Sequence, residues 1–298
     1  MRGESASAGT TGRAFPQAPL FDLDTVWFQV AGTLCNLRCT HCFISCTPKN
    51  HSHEMLSLET VLGFLDEARS LGVREYYFTG GEPFMNRDLL AMLEATLRQG
   101  PATVLTNGLL IRNGMAERLK QLADASRHSL DLRVSIDGYD AATNDPIRGA
   151  GTFERVMRCL TDLARVGLAP VITVSEACDG AGSREGRERF LEMLAGIGLK
   201  HPRLKILPLL RLGAEESRSR AYEDCESLAG CSVSSEQARG LVCSSGRMVT
   251  SQGVFVCPIL IDFPAARMGT SLADTLRPFT LSYRACFTCH RLGLSCTT

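Results

Sequence analysis

The chain has 298 residues, 44% of them hydrophobic, which suits one large domain or a domain with a smaller appendage. Its 32 Lys and Arg balance 32 Asp and Glu, so the basic excess usual for nucleic-acid binders is missing. No apolar run has the length of a membrane span, and the opening MRGESASAGTTGRAFPQAP holds no apolar signal-peptide core, so the expected location is cytoplasmic. In that compartment 13 cysteines read as metal or cluster ligands rather than disulfides.

In chain order, residues 1–21 are small, polar and punctuated by Pro and Gly, and read as a loose tail. From 22 to 213, β-rich runs alternate with amphipathic stretches. Strands are expected at 25–30, 74–79, 102–106, 130–136, 170–175 and 203–210. Helices are expected at 58–72, 86–100, 113–126, 151–167 and 186–198, the first capped by Ser57 and stopped at Gly72. This repeated β-α order predicts parallel strands with right-handed crossovers, an α/β partial (β/α)6 TIM-like barrel. Functional groups then gather where strands end, and GTLC, TGGEP, TNG and SIDG all lie there. Residues 214–240 are polar and poorly periodic, like a linker. Residues 241–298 form a small cysteine-rich extension, with a hairpin in RMVTSQGVFVC and a short helix in SLADTL. A piece this small gains stability from a bound cluster.

Cys35, Cys39 and Cys42 stand in CNLRCTHC. A structural zinc asks for four closed ligands, whereas three leave a coordination position open for chemistry. This motif, C-x3-C-x2-C after the first strand of such a barrel, resembles the signature of the radical S-adenosylmethionine (radical SAM) enzymes. The resemblance covers about residues 25–210 and implies a 4Fe–4S cluster on three thiolates, with SAM on the fourth iron. Reduction then yields a 5′-deoxyadenosyl radical that abstracts a substrate hydrogen. The family's usual aromatic residue before the last cysteine is here His41.

The same resemblance extends to TGGEP at 79–83. Gly80 and Gly81 there permit close backbone approach, with Pro83 completing the loop and Glu82 able to accept from the SAM ammonium. It implies further SAM contacts at Asn107 in TNG, at Ser135 and Asp137 in SIDG, at Arg148 in NDPIRGAGTFERV toward the SAM carboxylate, and at Ser175. As bare strings, Asn-Gly and Asp-Gly are also ordinary turns, and Arg148 is equally a surface ion-pair residue.

Cys243 and Cys257 bracket thirteen residues, and Cys286 and Cys289 form a C-x2-C. The layout resembles the twitch and SPASM extensions of the family, implying one auxiliary 4Fe–4S cluster on these four. Cys296 is a possible further ligand, and Cys225 and Cys231 look unattached. Two clusters or a structural zinc remain open alternatives. Cys46, Cys159 and Cys178 read as buried or incidental thiols, and Trp27 as core. His51 and His53 are weak metal candidates that can also line a substrate mouth.

The expected activity is oxidation or rearrangement of a small molecule, as in twitch-type dehydrogenases, with the auxiliary cluster taking an electron and a flavodoxin or ferredoxin supplying one. The alternative is a SPASM-type peptide or protein maturase. About 25 residues before the first strand is short for a leader-binding domain, which favours the small molecule. A non-catalytic iron–sulfur carrier is the remote reading. No nucleic-acid or membrane partner is expected. No catalytic base can be assigned by motif, and Asp262 and Arg211 are candidates by position alone.

Overall fold

A computed structural model describes residues 13–199 and 201–292. Its elements in chain order begin with β1 (Gln17–Ala18), β2 (Thr25–Gln29), α1 (Leu58–Ser70), β3 (Glu75–Thr79), α2 (Leu89–Leu97) and β4 (Ala102–Thr106). There follow α3 (Met115–Asp124), β5 (Leu130–Ser135), α4 (Ala141–Arg148), α5 (Thr152–Arg165), β6 (Val171–Ser175), α6 (Arg184–Gly196) and β7 (Arg203–Leu207). The C-terminal part holds α7 (Ser235–Arg239), β8 (Gly246–Thr250), β9 (Gly253–Phe255), β10 (Arg267–Gly269), β11 (Phe279–Thr280) and α8 (Arg284–Leu292).

Strands β2 to β7 pair in sequence order, all parallel. Parallel strands covered on both faces need apolar residues throughout rather than alternation, and β2, TVWFQ, is buried at every position. All six strands contribute side chains to one cavity, from Trp27 on β2 to Lys205 and Leu207 on β7. The sheet therefore curls around its inner face as the expected (β/α)6 partial barrel. Ser57 caps α1 by accepting from Thr60 N at 3.1 Å.

The strand expected to reach 210 ends at Leu207, because Pro208 offers no amide hydrogen to continue the ladder. Helix α4 was not anticipated, since Asp-Pro within it reads as a turn. A capping box, with Asp140 accepting from Thr143 N at 2.8 Å, starts it. Asp145 then accepts from Gly151 N at 2.6 Å and Phe153 N at 2.9 Å, fixing the elbow between α4 and α5.

The hairpin β8–β9 forms where expected, but it joins the barrel sheet: β8 lies parallel to β2, giving the order β10-β9-β8-β2-β3-β4-β5-β6-β7. The stretch expected as a linker contains α7, capped by Ser234. SLADTL holds only a single 3-10 turn, Ala273–Thr275. The part of the expected tail that is described is ordered, because β1 pairs antiparallel with β11. Among the described residues no helix is long and apolar enough to cross a membrane.

Candidate active site

The loop that leaves β2 carries Cys35, Cys39 and Cys42 onto the wall of the barrel cavity, which encloses about 1480 Å³ including its mouth. Backbone bonds hold the loop: Cys35 N donates to Thr47 O at 3.1 Å, and Thr40 N to Ile147 O at 2.9 Å, at the end of α4. Gly81 N donates to Gly32 O at 2.9 Å and Glu82 N to Leu34 O at 3.1 Å. A side chain at Gly81 would place its Cβ 2.0 Å from Leu34 O, so only glycine lets the two loops touch.

Donors already point at the sulfurs. Leu37 N lies 3.4 Å from Cys35 Sγ, and Cys46 N lies 3.3 Å from Cys42 Sγ. Burial pushes the Cys35 thiol up to about 12 and raises Cys39 against the pull of Arg148. Hydrogen bonding from the Cys46 thiol draws Cys42 down to about 6, despite burial. Cys46, which the sequence marks only as one more thiol, is buried and lines the same cavity. Its spacing after Cys42 carries no motif that distinguishes it.

Gly80, Gly81, Asn107, Ser135, Asp137, Arg148 and Ser175 all line this cavity, so six loops and strand ends converge as the sequence suggested. Glu82 and Pro83 do not. Glu82 is fully buried behind the wall, where it accepts from Thr106 Oγ1 at 2.7 Å, Asn107 N at 2.8 Å and Phe84 N at 3.2 Å. Burial raises its carboxyl to about 7, with these donors pulling it back. These bonds tie the β3 loop to the β4 loop.

Asp137 is the hub of the opposite wall. Its Oδ1 accepts from Ser175 N at 2.8 Å and Ser175 Oγ at 2.7 Å, while Oδ2 lies 2.7 Å from Arg148 Nε and 3.1 Å from His41 Nε2. Burial opposes charge on Asp137, but Arg148, His41 and Ser175 outweigh it and hold the carboxyl well below the usual range. The Arg148 guanidinium, also disfavoured by burial, is kept charged chiefly by Asp137. Trp27, Arg133, Thr173 and Lys205 complete the lower wall. Trp27 reads from sequence as core; it is buried, and it also faces this space.

Other candidates stand elsewhere. Buried His53 sits with Nε2 3.7 Å from Asp262 Oδ1, and His51 is exposed. Arg211 pairs with Glu226 at 2.5 Å and covers the Tyr222 ring at 3.9 Å. None of these lines the cavity.

A second, smaller cavity of about 400 Å³, mouth included, is lined by Cys243, Cys257, Cys286 and Cys289 among apolar side chains such as Leu241, Val256 and Leu281. Among the described residues no three ligating side chains are drawn together for a single ion, neither here nor at Cys35, Cys39 and Cys42. Burial lifts Cys243 to about 11 and Cys286 to about 12, and Cys257 rises well above its usual value. Beneath them lies Arg247, fully buried, its five N–H groups donating to the carbonyls of Cys243, Gly246, Thr275 and Arg277. Cys225 and Cys231 are exposed and do not line this cavity, and Cys296 lies outside the described residues.

The profile of the Radical SAM superfamily matches residues 30–202, more than half of the chain. The chain belongs to the radical SAM superfamily. A mycofactocin maturase, MftC, of Mycobacterium ulcerans is 35% identical over 136 residues, covering 45% of this chain and 35% of that protein. The chain thus spans about a third of the length of the curated relatives it matches first. Among solved structures, Streptococcus suis SuiB bound to precursor peptide SuiA shares the fold with a TM-score of 0.65, at 15% identity, over 91% of this chain and 71% of that one. The protein anSMEcpe with bound AdoMet follows with 0.62, at 16% identity, over 84% and 79%.

Membership of this superfamily implies a 4Fe–4S cluster and SAM, and the thiols of the β2 loop fit the cluster. Thiolates are soft donors suited to iron–sulfur clusters, and here three of them face one cavity while backbone crowds in at Gly81.

Proposed function

We propose that this radical SAM enzyme oxidises or rearranges a small organic substrate in the barrel cavity, with a second 4Fe–4S cluster held by Cys243, Cys257, Cys286 and Cys289. One observation carries the reading. Ile259, two residues after Cys257, lines both the barrel cavity and the smaller thiol cavity, and Pro258 lines the former. An electron leaving a substrate in the barrel therefore has a short way to the second set of thiols.

In this reading Cys35, Cys39 and Cys42 hold three irons and leave one open. When bound, cluster and SAM supply the radical that removes a hydrogen atom from the substrate. Backbone at Gly80 and Gly81 lets SAM approach the loop, and Asn107 and Ser135 meet its polar groups. Arg148, held charged and still by Asp137, receives its carboxylate. Ser175 and His41 keep Asp137 in place and so act by positioning Arg148. An external one-electron carrier, a flavodoxin or ferredoxin, serves as donor. The match to MftC favours one second reading, maturation of a peptide.

Iron and sulfide content after anaerobic reconstitution tests this, in the wild type and in Cys35/Cys39/Cys42→Ala. The variant is expected to lose about four irons and keep about four, and the wild-type EPR spectrum to change with SAM. A variant keeping none would remove the second cluster, and with it the oxidation reading.

A further inference from the structure

Among the described residues Arg247, on β8, is the largest side chain buried completely. Its Nη1 donates to Cys243 O at 2.8 Å and Gly246 O at 2.7 Å. Nε and Nη2 donate to Thr275 O at 3.2 and 2.8 Å, and Nη2 also to Arg277 O at 3.1 Å. A guanidinium has five N–H donors, so every one is used, each on a neutral carbonyl.

These bonds satisfy the donors and leave the charge. A buried charge is ordinarily paired, yet none of these partners is a carboxylate. Burial disfavours the charge on Arg247, thiolates at Cys243 and Cys257 favour it, and Arg277 opposes it. The anion that suits this cation therefore lies on the side of the thiol cavity, whose other walls are apolar at Leu241, Val256 and Leu281.

We propose that Arg247 is the counter-charge of the second cluster and raises its reduction potential, so that this cluster takes an electron from the substrate rather than supplying one. The proposal rests on Cys243, Cys257, Cys286 and Cys289 holding that cluster. A nearby cation stabilises the form carrying the added electron, and dry, apolar surroundings leave the attraction little screened. In the oxidation, the substrate radical left by hydrogen abstraction releases one electron to the second cluster and one proton to solvent. An external one-electron carrier then removes that electron. Arg247 touches backbone rather than substrate, so it is a positioning residue acting through the cluster.

The Cys35/Cys39/Cys42→Ala protein isolates the second cluster, and an anaerobic redox titration followed by EPR reads its potential. In that background Arg247→Gln and Arg247→Met should make reduction about tenfold less favourable, a fall of about 59 mV for one electron, while Arg247→Lys keeps the charge and stays within about threefold of the parent. Urea unfolding of the cluster-free chains reads the hydrogen-bonding role separately, since all three variants lose donors and should lose stability. Neutral variants that fold but load no iron, where Arg247→Lys loads it, also support the proposal. Lost stability with the potential of the neutral variants unchanged marks a purely structural clamp and overturns it. If neither neutral variant folds, Arg247→Lys decides: a potential near the parent's supports the charge, and a tenfold fall with the charge retained overturns it. A parent protein that keeps no iron once Cys35, Cys39 and Cys42 are gone would instead overturn the underlying reading of the second cavity, before any change at Arg247.

Discussion

Asp137→Asn is the sharpest probe of the upper wall. The amide keeps an oxygen for Ser175, whose N and Oγ donate to Oδ1 at 2.8 and 2.7 Å. It sets an NH2 group where Oδ2 stood, 2.7 Å from Arg148 Nε, so a donor faces a donor and a buried guanidinium loses its counter-charge. Removing one partner of a buried ion pair costs about 3–5 kcal/mol. Urea unfolding of the cluster-free protein measures this without cluster loss blurring the transition. Because the folded carboxyl is depressed, its stabilisation is present above the ordinary Asp value, about 4, and is lost as pH falls below it. The variant should lack that acid limb. Arg148→Met should be costly alone, and the double variant should recover about 1–3 kcal/mol relative to the sum. A cost below about 1 kcal/mol for Asp137→Asn, or strict additivity in the cycle, would refute the pairing as the organiser of this wall.

Gly81→Ala should destabilise by about 1–3 kcal/mol or more, since its Cβ meets backbone at 2.0 Å and Leu34 cannot move without Cys35. Iron content after reconstitution should fall as well, and full iron at wild-type melting temperature would contradict the close approach. Glu82 titrates in the opposite sense to Asp137. Its carboxyl is raised from 4.5 to about 7, so its contribution is whole below 4.5 and lost as pH rises through 7. The loss is about 3 kcal/mol, at about 1.4 kcal/mol per tenfold displacement of the proton equilibrium. Stability measured from pH 4.5 to 8 should fall less steeply in Glu82→Gln, and parallel curves would show that the three donors keep Glu82 ionised throughout.

The barrel was legible because its signals are local. Apolar runs at 25–30 and 102–106 match β2 and β4 to within a residue, and Ser57 caps α1 as its sequence context predicts. Helix α4 was hidden because Asp145-Pro146 carries turn chemistry, and only Asp140 and Thr143 reciprocating across one turn overrides it. The facing of Glu82 was illegible for a different reason. Its partners Thr106 and Asn107 lie 24 and 25 residues away, and motif order does not say which side of a loop a carboxylate takes.

The C-terminal segment makes the least local contribution and the most consequential one. Read alone, RMVTSQGVFVC is a hairpin in a cysteine-rich appendage. In the fold, β8 lies parallel to β2, the strand that delivers Cys35, with Thr25 opposite Gly246 and Phe28 opposite Val249. The same pairing fixes the chain from Cys243 to Cys257 beside the first barrel strand, and Pro258 and Ile259 then fall on the barrel cavity. The two thiol groups are thus set by one sheet rather than by a flexible join, so their separation does not vary with linker motion. Arg247, on β8 itself, brings a buried cation to the underside of the second group, where its five donors engage only carbonyl oxygens. Such a charge is tolerable in a dry interior when an anion lies close, and four thiolates around a cluster would provide one. The sheet that builds the barrel therefore also fixes how the second group of thiols sits against the barrel cavity and places a buried cation beside it.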